Sequence, residues 1–251
     1  DRNELRLLYQ PKFHAPAGPV IGFEALLRWQ HPKQGLLPPD LFLPLAEKTG
    51  LIIPIGNWVI DEACRQLREW HLQGHTDWSM AVNLSTLQFE QPSLVKTVLD
   101  CLTRHSVPPG MLILEVTETT AMSNPDESVR VLTALTDAGV KASIDDFGTG
   151  YSSLLYLKRL PACELKIDRA FVKELSGESE DATIVSAIIA LAKTLNLKVV
   201  AEGVETAAQQ TFLTELGCNT LQGYLLGKPI TAQAIMEQCQ HGEMSPSRMQ
   251  S

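Results

Sequence analysis

Short apolar runs alternate with stretches of helical periodicity along almost the whole chain. Strand-like runs occupy residues 5–10, 20–29, 79–83, 111–115, 140–145, 164–168 and 198–202, with a short one near 220–223. Between them apolar residues recur every three or four positions. Ile55, Val59, Ala63 and Leu67 mark one face of a helix over 55–73 that breaks at Gly74. Asn124 is placed to cap a second helix, with Pro125 at its first position and Glu127 three residues after the cap. Its apolar stripe is Val129, Leu132 and Leu135, and Gly139 ends it. Ile184, Ile188, Leu191, Ala192 and Leu195 share a face ahead of the run at 198, and Thr206 caps a further helix that stops at Gly217. Strands alternating with helices predict an α/β chain with a largely parallel sheet, and about eight strands suit a closed barrel. The first two runs are too close for a helical crossover and should pair antiparallel. The fold expected is a modified (β/α)8 TIM-like barrel with one antiparallel strand near the N-terminus.

In this scheme the acidic residues converge. Glu24, Asn83, Glu115, Asp145 with Asp146, and Glu202 each follow an apolar run, and Lys166 lies one strand over. The C-terminal rim of a barrel carries its chemistry. Any one of these acids could be a helix cap or a solvated loop residue; five strand ends together point to a shared site. The adjacent Asp145 and Asp146 need a positive partner, because buried carboxylates are costly unless paired or bound to a metal. Oxygen donors without a nearby histidine suit Mg²⁺ or Mn²⁺ better than zinc. Two such ions about 3.5–4 Å apart could clamp a phosphodiester, with Asp145 a natural bridge. Lys166 either holds the attacking water or neutralises phosphate charge, or else pairs with the acids.

Weaker signals surround this set. Arg28 shares a strand face with Glu24 and reads equally as a phosphate contact or as an ion-pair partner. Residues 31–39, rich in proline, read as a rim loop. Gly148-Thr149-Gly150 could cradle phosphate, but a tight turn is the commoner use of such a pair. His71 and His75 have zinc-like spacing, yet Gly74 stands between them and no third ligand is placed, so an exposed surface pair is expected.

Composition narrows the classes. A chain of 251 residues, 44% hydrophobic, can bury a sizeable core in one domain, and a net charge of -8 argues against polymeric nucleic acid as partner. Five scattered cysteines form no C-x-x-C pair, which fits a reducing cytoplasm. No apolar stretch approaches a membrane span. The chain opens at Asp1, which suggests a piece of a larger protein, and the polar tail 241–251 is expected to be disordered beyond a domain spanning 1–240.

Seven blocks in order resemble the EAL domain family of cyclic di-GMP phosphodiesterases. They are Glu24-Ala25-Leu26 within Gly22 to Trp29, Val82-Asn83-Leu84-Ser85, Leu114-Glu115-Val116-Thr117-Glu118, Asp145-Asp146-Phe147-Gly148-Thr149-Gly150-Tyr151-Ser152-Ser153, Leu165-Lys166-Ile167-Asp168, Ala201-Glu202-Gly203-Val204-Glu205 and Gln222-Gly223-Tyr224. The resemblance implies hydrolysis of cyclic di-GMP to linear pGpG by a metal-activated water, with Mg²⁺ or Mn²⁺, two ions, in bacterial second-messenger signalling. It implies Glu24, Asn83, Glu115 and Asp145 as ligands of one ion and Asp145, Asp146 and Glu202 as ligands of the other, with Glu202 alternatively the general base. Lys166 would orient the water, and Glu24, Lys166 and Glu202 form the catalytic set. Leu26, Arg28, Asp168 and Gln222 would contact substrate. Glu118 would hold a regulatory loop containing Phe147, Gly148, Thr149, Gly150 and Ser152, coupled to a homodimer interface, with a sensor or other signalling domain upstream. A receptor that binds cyclic di-GMP without cleaving it is the alternative.

Overall fold

The first two strand runs do pair antiparallel: β1 (Leu5–His14) lies against β2 (Val20–His31) from Leu5↔Trp29 to Phe13↔Val20. The computed structural model describes residues 3–16, 18–149, 154–175 and 179–241. Its further strands are β3 (Gly35–Leu37), β4 (Ser79–Leu84), β5 (Leu112–Thr117), β6 (Lys141–Phe147), β7 (Glu164–Ile167), β8 (Lys198–Ala201) and β9 (Thr220–Leu221). The ring runs β1-β2-β4-β5-β6-β7-β8-β9 and closes on β1. β1 is antiparallel to both of its neighbours and every other junction in the ring is parallel. β3 is an extra antiparallel strand laid on the far end of β2. The barrel is therefore the modified α/β barrel expected, with one addition.

Helix punctuation follows the sequence. The Asn124 side chain accepts a 3.4 Å hydrogen bond from the Glu127 amide at the head of the helix Pro125–Asp137, and Gly139 beyond its end takes φ +89°, which glycine adopts without strain. Thr206 makes a reciprocal capping box with Gln209. The helix Ile52–Leu72 buries Val59, Ala63, Leu67 and Trp70 against the barrel.

Two expectations need correction. The span 31–39 is not wholly an irregular rim loop: Gly35–Leu37 within it form β3, which pairs with Trp29 to His31 at the far end of β2. Nor is His71 part of an exposed pair: it is buried, its Nε2 lies 2.9 Å from the Trp78 carbonyl, and His75 stacks on the Trp78 ring at 3.9 Å. These histidines brace the end of a helix.

The barrel interior departs from the usual layers of branched apolar side chains. Lys12, Glu115, Ser143, Glu164 and Lys166 are all buried in it. Of the C-terminal tail only His241 lies within the described residues; the expectation of disorder over 242–251 falls outside them.

Candidate active site

Lys166 points inward from β7 and is fully buried. Its Nζ lies 2.6 Å from Glu202 Oε1, 2.8 Å from Glu115 Oε2, 3.0 Å from Asp145 Oδ2 and 3.7 Å from Glu24 Oε2. Four carboxylates from four strands or strand ends thus converge on one ammonium. Glu24 is further fixed on both oxygens: Oε1 accepts from Asn83 Nδ2 at 2.7 Å and Oε2 from Gln222 Nε2 at 2.6 Å.

Consecutive residues on a strand ordinarily face opposite sides, yet Asp145 and Asp146 both line the same cleft. Two local irregularities allow it. The β6–β7 register shifts between Ile144 and Phe147, and Asp146 adopts φ +54°, a left-handed conformation that aspartate tolerates better than most residues. The Asp146 amide also donates to Asp145 Oδ1 at 2.8 Å.

The cleft above has a volume of about 670 Å³, and its wall includes Leu26, Arg28, Asp168, Glu202 and Gln222 as well as the paired aspartates, Glu24 and Asn83. Glu115 and Lys166 do not line it; they form the layer beneath. Asp168 has a second task, since its Oδ1 accepts from the Ala170 amide at 2.6 Å and caps the helix Arg169–Lys173. Buried Glu118 accepts at Oε2 from the Gly148 amide at 2.8 Å. Gly148 takes φ +99°, and a Cβ there would lie 3.0 Å from the Phe171 ring. Phe147 closes β6 and is buried, so it is part of the core as well as the head of the loop. Gly150 and Ser152 lie outside the described residues.

The sequence reading missed Lys12 and Glu164. Lys12 Nζ lies 3.1 Å from Glu164 Oε1 and 3.5 Å from Glu115 Oε1. The signal was present: extending the first strand run beyond Gln10 with a period of two puts Lys12 on the face of Gln10. Pro11 concealed it, because proline usually marks the edge or end of a strand.

Six carboxyls (Glu24, Glu115, Asp145, Asp146, Glu164 and Glu202) therefore face two ammoniums, and three of them are pushed up. Burial pushes Glu115 up to about 8, Glu24 and Asp145 adding to it against the pull of Lys166 and Lys12. Burial, opposed by Lys166 and aided by Asp145 and Glu24, raises Glu202 to about 7. Burial, the Asp145 charge and a hydrogen bond with Asp168 raise Asp146 to about 6. Glu24 goes the other way: burial raises it, but Lys166 together with Gln222, Lys12 and Asn83 carries it below the usual carboxylate range. Burial would strip the Lys166 proton, yet the surrounding acids hold its pKa well above that of an ordinary lysine.

Among the described residues no three acidic, histidine or cysteine side chains converge on an open point ready for a metal. The reason is geometric, since the Lys166 ammonium stands where the four carboxylates meet. The donor chemistry nonetheless fits a hard divalent cation: oxygen ligands only, an uncompensated surplus of negative charge, and an amide oxygen available from Asn83. Since a cation must displace protons from carboxyls titrating at about 6, 7 and 8, its affinity is expected to rise steadily from pH 6 to pH 8 with net proton release. Calorimetry of Mn²⁺ binding in buffers of different ionisation enthalpy measures both; a pH-independent affinity would contradict the assignment.

Similarity to known proteins agrees with this architecture. Residues 1–229 match the model of the EAL domain. The chain is 64% identical over 236 residues to the bifunctional diguanylate cyclase/cyclic di-GMP phosphodiesterase MucR of Pseudomonas aeruginosa, covering 94% of this chain and 34% of that protein. It is 47% identical over 235 residues to the cyclic di-GMP phosphodiesterase NbdA of the same organism, covering 94% of this chain and 30% of that one. The chain thus spans about a third of the length of these relatives. A solved structure of the PaMucR phosphodiesterase in complex with c-di-GMP superposes with a TM-score of 0.91 at 65% identity, covering 93% of this chain and 95% of that one. Among the described residues no helix is long and apolar enough to cross a membrane. With the family model matched over most of its length and the acid-lined barrel mouth in place, the chain belongs to the EAL domain family.

Proposed function

We propose that this chain is a cyclic di-GMP phosphodiesterase that opens one phosphodiester bond to give linear pGpG. The observation that carries the reading is the convergence of Glu24, Glu115, Asp145 and Glu202 on Lys166 beneath a cleft of about 670 Å³, large enough for part or all of a dinucleotide. The names of MucR and NbdA and the c-di-GMP complex of PaMucR support the same substrate.

Glu24, Asn83, Glu115 and Asp145 would hold one Mg²⁺ or Mn²⁺, and Asp145, Asp146 and Glu202 a second. Divalent ions so held supply Lewis acidity to the phosphate and lower the pKa of water. Glu202, at the cleft wall with a pKa near 7, is suited to accept a proton at neutral pH. Lys166 would present a positive charge to the reacting centre and orient the attacking water. Leu26, Arg28, Asp168 and Gln222, which all line the cleft, would orient the nucleotide. Phe147 to Thr149, tied at Gly148 by Glu118, would couple the site to a homodimer interface. Residues 1–240 form the catalytic unit, working in the cytoplasm beside an upstream sensor or other signalling domain.

Incubation with cyclic di-GMP and Mn²⁺ should yield pGpG, and EDTA should stop it. Intact substrate after long incubation, with the nucleotide bound, would replace this reading by that of a receptor.

A further inference from the structure

We propose that Lys12 and Glu164 are a positioning pair that fixes Glu115 from below. This rests on the phosphodiesterase reading and assigns a task to two residues that touch neither the cleft nor the reacting groups. Lys12 enters the barrel from β1 and is 2% exposed; its Nζ lies 3.1 Å from Glu164 Oε1 and 3.5 Å from Glu115 Oε1. The second oxygen of Glu115 lies 2.8 Å from Lys166. Each oxygen of Glu115 therefore has its own ammonium, one from beneath and one from the site, and the carboxylate cannot turn without losing both.

The two lysines divide the work. Lys166 is shared among four carboxylates, whereas Lys12 is shared, among the described residues, between Glu115 and Glu164. Glu164 stands two residues before Lys166 on β7, so the same strand presents both side chains inward. It is 7% exposed, and its partnership with Lys12 overcomes the effect of burial and holds its carboxyl below the ordinary range. Groups that orient metal ligands from behind typically change metal affinity by about 10–100-fold when removed.

Lys12→Met alone would strand Glu164 as an unpaired buried charge, so the test is the double variant Lys12→Met/Glu164→Met, with folding checked by circular dichroism and thermal melting. The expected result is a folded protein that binds Mn²⁺ about 10-fold more weakly by calorimetry. Its kcat should fall while KM for cyclic di-GMP stays near that of the parent. If the double variant does not fold, Lys12→Gln, which keeps a donor between the two acids, should show the same loss in smaller measure. A folded variant with parental Mn²⁺ affinity overturns the proposal. Failure of the underlying reading looks different: the parent protein itself would then leave cyclic di-GMP intact.

Discussion

Glu202→Gln should lower kcat for cyclic di-GMP by about 10³-fold or more while changing KM little. Glutamine keeps the size of the side chain and an oxygen for Lys166, whose Nζ lies 2.6 Å from Glu202 Oε1. What it loses is the negative charge and the ability to take a proton. Either loss suffices, because general-base catalysis alone contributes about 10²–10⁴-fold and a missing ligand charge weakens metal binding besides. Glu202 is the acid best placed for the role: its side chain is 18% exposed, enough to meet solvent, while burial and its acidic neighbours raise it to about 7. Glu24→Ala should be comparably severe for another reason, since it removes the carboxylate to which both Asn83 and Gln222 donate. Steady-state rates at saturating Mn²⁺ decide the matter; either variant working at near-parental rate removes the mechanism proposed above.

The second large effect is on stability. Lys166→Met should destabilise the metal-free protein by about 3–5 kcal/mol, the usual cost of stripping one partner from a buried ion pair. For a chain of this size that corresponds to a fall in Tm on the order of 10 °C. Methionine fills much the same volume, so cavity formation adds little, and what remains is four carboxylates that have lost their common cation. They can respond only by taking up protons or admitting water. Mn²⁺ should restore part of the lost stability, because an ion that binds only the folded state stabilises it by mass action. The measurement is thermal melting of parent and variant with EDTA and with Mn²⁺. Equal melting temperatures in EDTA would mean that Lys166 is not what holds the acids together.

The large elements were legible in the sequence because their periodicity is local. Asn124, Pro125 and Gly139 set a helix by capping and backbone preference, and the closeness of the first two strand runs left only antiparallel pairing. Most of the cleft residues could be found for a related reason, as polar residues that close apolar runs. The missing parts depend on distant contacts. β3 forms within the stretch 31–39 only because it meets the far end of β2, which no pattern within that stretch announces. Lys12 was hidden by Pro11, and its meaning depends on Glu164, 152 residues later in the chain. Asp145 and Asp146 could be recognised as a pair needing a cation, but the device that turns both toward one cleft is a register shift with a left-handed residue. Neither follows from alternation.

The reversed direction of β1 has an outcome for wiring. In a barrel of uniform direction the first strand begins at the floor, far from the mouth. Here Leu5 pairs with Trp29, on the part of β2 beyond Glu24, and Glu4 is tied to Trp29 and Gln30 by hydrogen bonds of 2.9 and 2.7 Å. The polypeptide thus enters at the open face, beside the cleft it serves. Anything joined ahead of Glu4 would meet the barrel at its entrance and not at its floor.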